Sequence, residues 1–114
     1  MEHSRNSYEH SDIENMPSAL AIQCLPMGIT EKDRVYEIVD SVIQEIIASG
    51  LSYQVGPFET VIEGPLGEIL PLIGRLHRRL LESGIDTGAS YIKLWSGRNL
   101  GSSAEKTEKY TKPH

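Results

Sequence analysis

The run Phe58-Glu59-Thr60-Val61-Ile62-Glu63 is fenced by Gly56-Pro57 on one side and Gly64-Pro65 on the other. Its β-branched and aromatic content reads as one strand, and the Gly-Pro pairs read as its punctuation. An amphipathic stripe lies on each side of it. Before it, Val35, Ile38, Val39, Val42, Ile43, Ile46 and Ile47 recur at the spacing of one helix face. After it, Ile69, Leu72, Ile73, Leu76 and Leu80 do the same. A strand held between two helices, with further strands outside them, restricts the chain to few architectures, and βαββαβ is the simplest.

The outer strands complete that pattern. Ala19 to Leu25 is predicted as the first strand, ended by Pro26 and Gly28, with Leu20, Ile22 and Cys24 on one face. Thr30 is positioned to cap the first helix, and Gly50 to close it at C′. Leu51 to Val55 is a short second strand. Pro71 conflicts with a helix interior, so the second helix is expected to begin near Gly67 or bend there, and Ser83-Gly84 ends it. Ala89 to Trp95 is the fourth strand, with Ser90, Ile92 and Leu94 on one face and Tyr91, Lys93 and Trp95 on the other.

These elements predict an α+β, ferredoxin-like domain: a four-stranded antiparallel sheet with both helices on one face. Right-handed crossovers put strands one and three in the centre. Leu20, Ile22, Ile92 and Leu94 are assigned to the helix-covered face. The domain spans residues 18–101. Residues 1–17 carry no periodicity and are read as a disordered tail, and residues 102–114 as a short helix, boxed by Ser102 and Glu105, with a frayed end. The bare sheet face would expose Ala21, Leu25, Val61, Tyr91 and Trp95, which calls for a homo-oligomer, dimer or tetramer, packed through that face.

Chemistry is constrained mainly by exclusion. A net charge of −5 disfavours nucleic acid. The short basic cluster Arg75, Arg78, Arg79 reads as a solvated helix face. The single cysteine, Cys24, allows no intrachain disulfide and reads as a small buried hydrophobe. No stretch has the ~20 apolar residues of a membrane span, and no apolar leader opens the chain, so the cytoplasm is the expected location. There is no phosphate-binding glycine loop, no nucleophile–base signature and no zinc spacing. No catalytic residue, metal or cofactor is therefore assigned, and the domain is read as a binding protein and not an enzyme.

Several polar residues stand out against this apolar scaffold. Gln23 interrupts a face of small residues. Glu59 and Glu63 put two carboxylates on one face of a central strand, where each needs water or a positive partner. Thr60 has the opposite parity. His77 borders the apolar stripe of the second helix and is read as bonded to a backbone carbonyl. Tyr91 and Trp95 flank Lys93 in an aromatic–cationic–aromatic row. Parity forbids Glu59, Glu63 and Thr60 from lining one pocket unless that pocket wraps a strand end. Thr60 and His77 would serve a pocket between sheet and helices; Gln23, Tyr91 and Trp95 would serve one on the open face.

The run Thr60-Val61-Ile62-Glu63-Gly64-Pro65-Leu66, then Leu72-Ile73, Leu76-His77 and Ile92-Lys93-Leu94, resembles the YkoF-like thiamine-binding family of small ferredoxin-like proteins. Gln23-Cys24-Leu25-Pro26-Met27-Gly28 is similar to that family's opening strand and its corner. The resemblance covers roughly residues 19–98. The family's arginine after the fourth strand is found only with an offset, as Arg98, and Trp95 stands where a small or acidic residue is usual. The resemblance implies non-enzymatic binding of thiamine or its hydroxymethylpyrimidine moiety by a dimer or tetramer. Gln23, Glu59, Thr60, Glu63, His77, Tyr91 and Trp95 are then the candidate ligand contacts: aromatics to stack, amide and hydroxyl for the ring edge, carboxylates for the thiazolium cation. The other reading is a regulatory or scaffolding module whose open sheet binds a protein or an amino acid.

Overall fold

The computed structural model describes residues 9–100. Its elements are α1 (His10–Glu14), β1 (Pro17–Met27), α2 (Lys32–Ala48), β2 (Ser52–Val55), β3 (Thr60–Pro65), α3 (Leu66–Glu82) and β4 (Thr87–Ser96). The four strands make one antiparallel sheet in the order β2-β3-β1-β4. This is the predicted ferredoxin-like α+β arrangement, with β1 and β3 central. The 102–114 helix expected from the sequence lies outside the described residues.

One apolar core lies between the sheet and the two long helices. Leu20, Ile22 and Cys24 of β1 and Ile62 of β3 meet Ile38, Val42 and Ile46 of α2 and Ile69, Leu72, Leu76 and Leu80 of α3. The helical residues are those of the two stripes, at i, i+4, i+8 in α2 and i, i+3, i+7, i+11 in α3. Each fully buried Leu or Ile contributes about 1.5–3 kcal/mol relative to exposure. The β-branched stripe of α2 is a mediocre helix former by itself, so this packing is what holds it. Gly50 and Gly84 follow α2 and α3 at φ +76° and +82°, the left-handed conformation that ends a helix.

Four local expectations need correction. The first concerns residues 1–17: within them His10–Glu14 is helical and Pro17 opens β1. What orders this stretch is tertiary contact. Met16 is buried and its carbonyl accepts the Leu66 N–H at 3.0 Å, while Gly67 lies so close to Glu14 that a Cβ there would stand 2.6 Å from Oε2. Secondly, Glu31, not Thr30, occupies the N-cap of α2, with no side-chain cap bond.

Phe58, thirdly, lies outside β3 and is 78% exposed. The Gly56 N–H bonds the Glu59 carbonyl at 2.9 Å, closing a tight turn that consumes Pro57 and Phe58. By contrast, α3 starts at Leu66, one residue from the expected Gly67, and keeps Pro71 inside it, on the exposed side. Last, Ile92 and Leu94 stand opposite Ile22 and Leu20, and so on the predicted face, yet remain 42% and 37% exposed. β4 is an edge strand, and the helices cover β1 more fully than the far side of β4.

Candidate functional site

Where the β1–β3 ladder ends decides where a ligand could sit. Its last rung is Ile22↔Thr60, whereas β1 runs on to Met27 paired only with β4. Beyond Ile22 the sheet therefore has a gap, bounded by β1, by the β2–β3 turn and by α2 above. The gap is a cleft of about 180 Å³. Its floor and walls include Ile22, Cys24, Val39, Ile43, Phe58 and Thr60, with Gln23 and Glu59 at the same end. A second, more open depression on the other side of the turn shares Gly56, Pro57, Phe58 and Glu59 with it. Such a cleft suits a flat ring, and lies below the ~300 Å³ usual for drug-sized ligands.

Polar groups in the core are otherwise satisfied. Among the described residues two polar ones are buried, Ser18 and Thr60. The Ser18 hydroxyl bonds the Met16 carbonyl at 3.1 Å and the Ser96 hydroxyl at 2.7 Å. Thr60 is 7% exposed, and its hydroxyl bonds no described residue. Among the described residues no fully buried side-chain polar atom lacks a partner, so this hydroxyl keeps access to the cleft, where it offers a point of contact for a guest. Cys24 sits beside it, its thiol pushed up from the ordinary range by burial, with the Ser90 hydroxyl, 3.5 Å from Sγ, opposing that shift.

The candidate residues divide between two faces. Gln23, Glu59 and Thr60 meet at the cleft, which does wrap the end of β3 and so accommodates both parities. Tyr91 and Trp95 lie on the open face, opposite Gln23 and Ala19 of β1. Glu63 is on that face too, on the far side of Ala19 from Trp95. Glu59 meets the positive partner it required: Lys93 Nζ is 3.3 Å from its Oε1, across the small side chain of Ala21. His77 does not reach the cleft. Its Nδ1 pairs with the Ser90 hydroxyl at 2.7 Å, a side-chain partner rather than the expected carbonyl, and ties α3 to β4.

Residues missed by the sequence reading are the α2 wall, Val39 and Ile43, and the turn residue Phe58. Val39 and Ile43 were counted only as core stripe. The available signal was Pro26: with no N–H to give, it fits an unpaired stretch of strand edge.

Residues 20–111 match the profile of the family described as thiamine-binding protein. The chain belongs to this thiamine-binding protein family. Among curated relatives, a UPF0045 protein of Clostridium perfringens is 32% identical over 91 residues, covering 80% of this chain and 94% of that one. Among solved structures, a protein of Thermotoga maritima proposed to act in thiamine biosynthesis or salvage superposes with a TM-score of 0.72 at 28% identity, over 82% of this chain and 98% of that one. A DUF77 domain from Bacillus cereus gives the same TM-score and identity, covering 82% and 89%. The matched span takes in β1 from Leu20 onward, the other three strands and both long helices, so the cleft lies wholly within the matched span.

Proposed function

We propose that this member of the thiamine-binding family binds thiamine, or its hydroxymethylpyrimidine half, in the cleft between α2 and the end of the β1–β3 ladder, and releases it chemically unchanged. The observation that carries the reading is the Thr60 hydroxyl, which bonds no described residue and opens onto a ring-sized apolar cleft inside the family's matched span. Stacking on a ring is worth ~1–3 kcal/mol, and micromolar binding needs about 8. The rest has to come from burial against Ile22, Val39 and Ile43 and from hydrogen bonds. The pyrimidine half fits inside; the thiazolium half extends past the turn toward Phe58 and the Glu59 carboxylate.

Nothing in the reading requires chemistry on the ligand, and the family's description is of a binder. Among the described residues no helix is long and apolar enough to cross a membrane, and the proposed location is the cytoplasm. The proposed assembly is a dimer or tetramer through the open sheet face, where Tyr91 and Trp95 are 57% and 69% exposed beside the small residues Ala19 and Ala21. Isothermal titration of the protein with thiamine and with hydroxymethylpyrimidine tests the function. Heat of binding with a one-to-one stoichiometry per chain is expected for both. No heat and no thermal shift with either contradicts it.

A further inference from the structure

The strand edge that borders the cleft has a definite hydrogen-bonding parity. The Leu66 N–H bonds the Met16 carbonyl, so in β1 the even-numbered residues turn their main-chain groups toward β3. The Gly97 N–H bonds the Pro17 carbonyl, so the odd-numbered residues turn theirs toward β4. Two features agree with this assignment. Pro17 and Pro65 face each other in β1–β3 at a rung that needs no N–H, and Pro26 faces Gly88 at such a rung of β1–β4.

Ile22 is the last even residue with a partner on β3. The next, Cys24, directs both its N–H and its C=O into the gap, where the chain of β3 has already turned away at Glu59. No backbone or side-chain bond to a described residue satisfies either group. Cys24 lines the cleft and is 9% exposed, so this donor and acceptor lie side by side at its floor. Buried main-chain groups are almost always paired, and a pair left open in a cleft is recognition chemistry awaiting a complement. One step further along the same edge Pro26 offers a carbonyl but no N–H, so the edge cannot template a whole additional strand. It holds one two-pronged contact.

We propose that the main chain of Cys24 is the specificity element of the site: its N–H donates to a ring nitrogen, and its C=O accepts from the adjacent exocyclic amine, of an aminopyrimidine. This deepens the proposed function and rests on it. The complement required is an acceptor next to a donor on a flat heterocycle, which the aminopyrimidine edge supplies.

The test compares hydroxymethylpyrimidine with an analogue of the same shape carrying an oxo group in place of the amine, by calorimetry on the full chain. A bidentate contact discriminates by roughly tenfold to a hundredfold, so the oxo analogue should bind weaker by that factor. In parallel, the Cys24 amide, assigned by NMR, should exchange with solvent more slowly when hydroxymethylpyrimidine is present. Equal affinity for the two analogues, or unchanged exchange at Cys24 with ligand bound, overturns the main-chain reading and leaves the binding function standing. Absence of binding by either pyrimidine and by thiamine removes both.

Discussion

Thr60 stands opposite Ile22 in the last rung of the ladder between β3 and β1, and both residues line the cleft that opens one step beyond them. The end of strand pairing, rather than a dedicated loop, makes the site. One strand outruns its neighbour, a Gly-Pro turn diverts the other, and α2 roofs the gap that results. Some of its walls, Ile22, Cys24, Val42 and Ile46, are core residues, and the exposed turn residue Phe58 completes the lining.

The Thr60 hydroxyl is the polar group with least to lose in the free protein. Thr60→Val keeps the shape and removes that hydroxyl. Hydroxymethylpyrimidine affinity should fall about tenfold, on the order of one hydrogen bond, while the melting temperature holds or rises. Titration calorimetry and thermal melts measure the two effects. An unchanged affinity would place the ligand elsewhere.

Glu59 lies at the mouth and is already bridged to Lys93. A thiazolium cation would share that carboxylate, whereas the neutral pyrimidine half has no use for it. Glu59→Gln should therefore weaken thiamine by a few-fold, the scale of a partly exposed ion pair, and leave hydroxymethylpyrimidine unaffected. Lys93→Met should act in the opposite direction on thiamine alone. Parallel titrations with both ligands decide it.

Much of this fold is legible in the sequence because apolar periodicity and burial carry the same information. The stripes from Val35 to Ile47 and from Ile69 to Leu80 predict both helices and the face each buries. Parity correctly sorts Leu20, Ile22 and Cys24 from Ala19, Ala21 and Gln23. Parity does not say how far a neighbour extends: Ile92 and Leu94 have the right face but sit at an edge, and Phe58 has strand propensity but is taken by the turn. The cleft depends on such a length mismatch. Gln23, Glu59 and Thr60 could be singled out as odd polar residues, yet only the register shows that they meet.

The Cys24 thiol is raised by burial, so the folded protein holds its proton to higher pH than the unfolded chain does. A group whose folded pKa is raised contributes stability that is complete below the unfolded value and is lost as pH rises through the folded one. Stability should thus decline above about pH 8.5 by a component that Cys24→Ala removes. Denaturant melts at neutral and alkaline pH on both proteins measure it. Alkylation of the thiol at neutral pH should also be slow unless the protein is unfolded.

Tyr91 and Trp95 give the open face its exposed aromatic area. Replacing Trp95 by Lys puts a charge into the proposed interface, and should shift the assembly toward monomer in sedimentation equilibrium without altering the circular dichroism of the fold. A wild-type protein that sediments as a monomer across a wide concentration range would remove the assembly proposal, though not the cleft.

The most direct measurement is a crystal structure of the full chain with hydroxymethylpyrimidine bound. Density for a flat ring between α2 and the end of β3, within hydrogen-bond reach of the Thr60 hydroxyl, is the predicted result. A ring stacked instead on Tyr91 or Trp95, with the cleft holding only water, would contradict it.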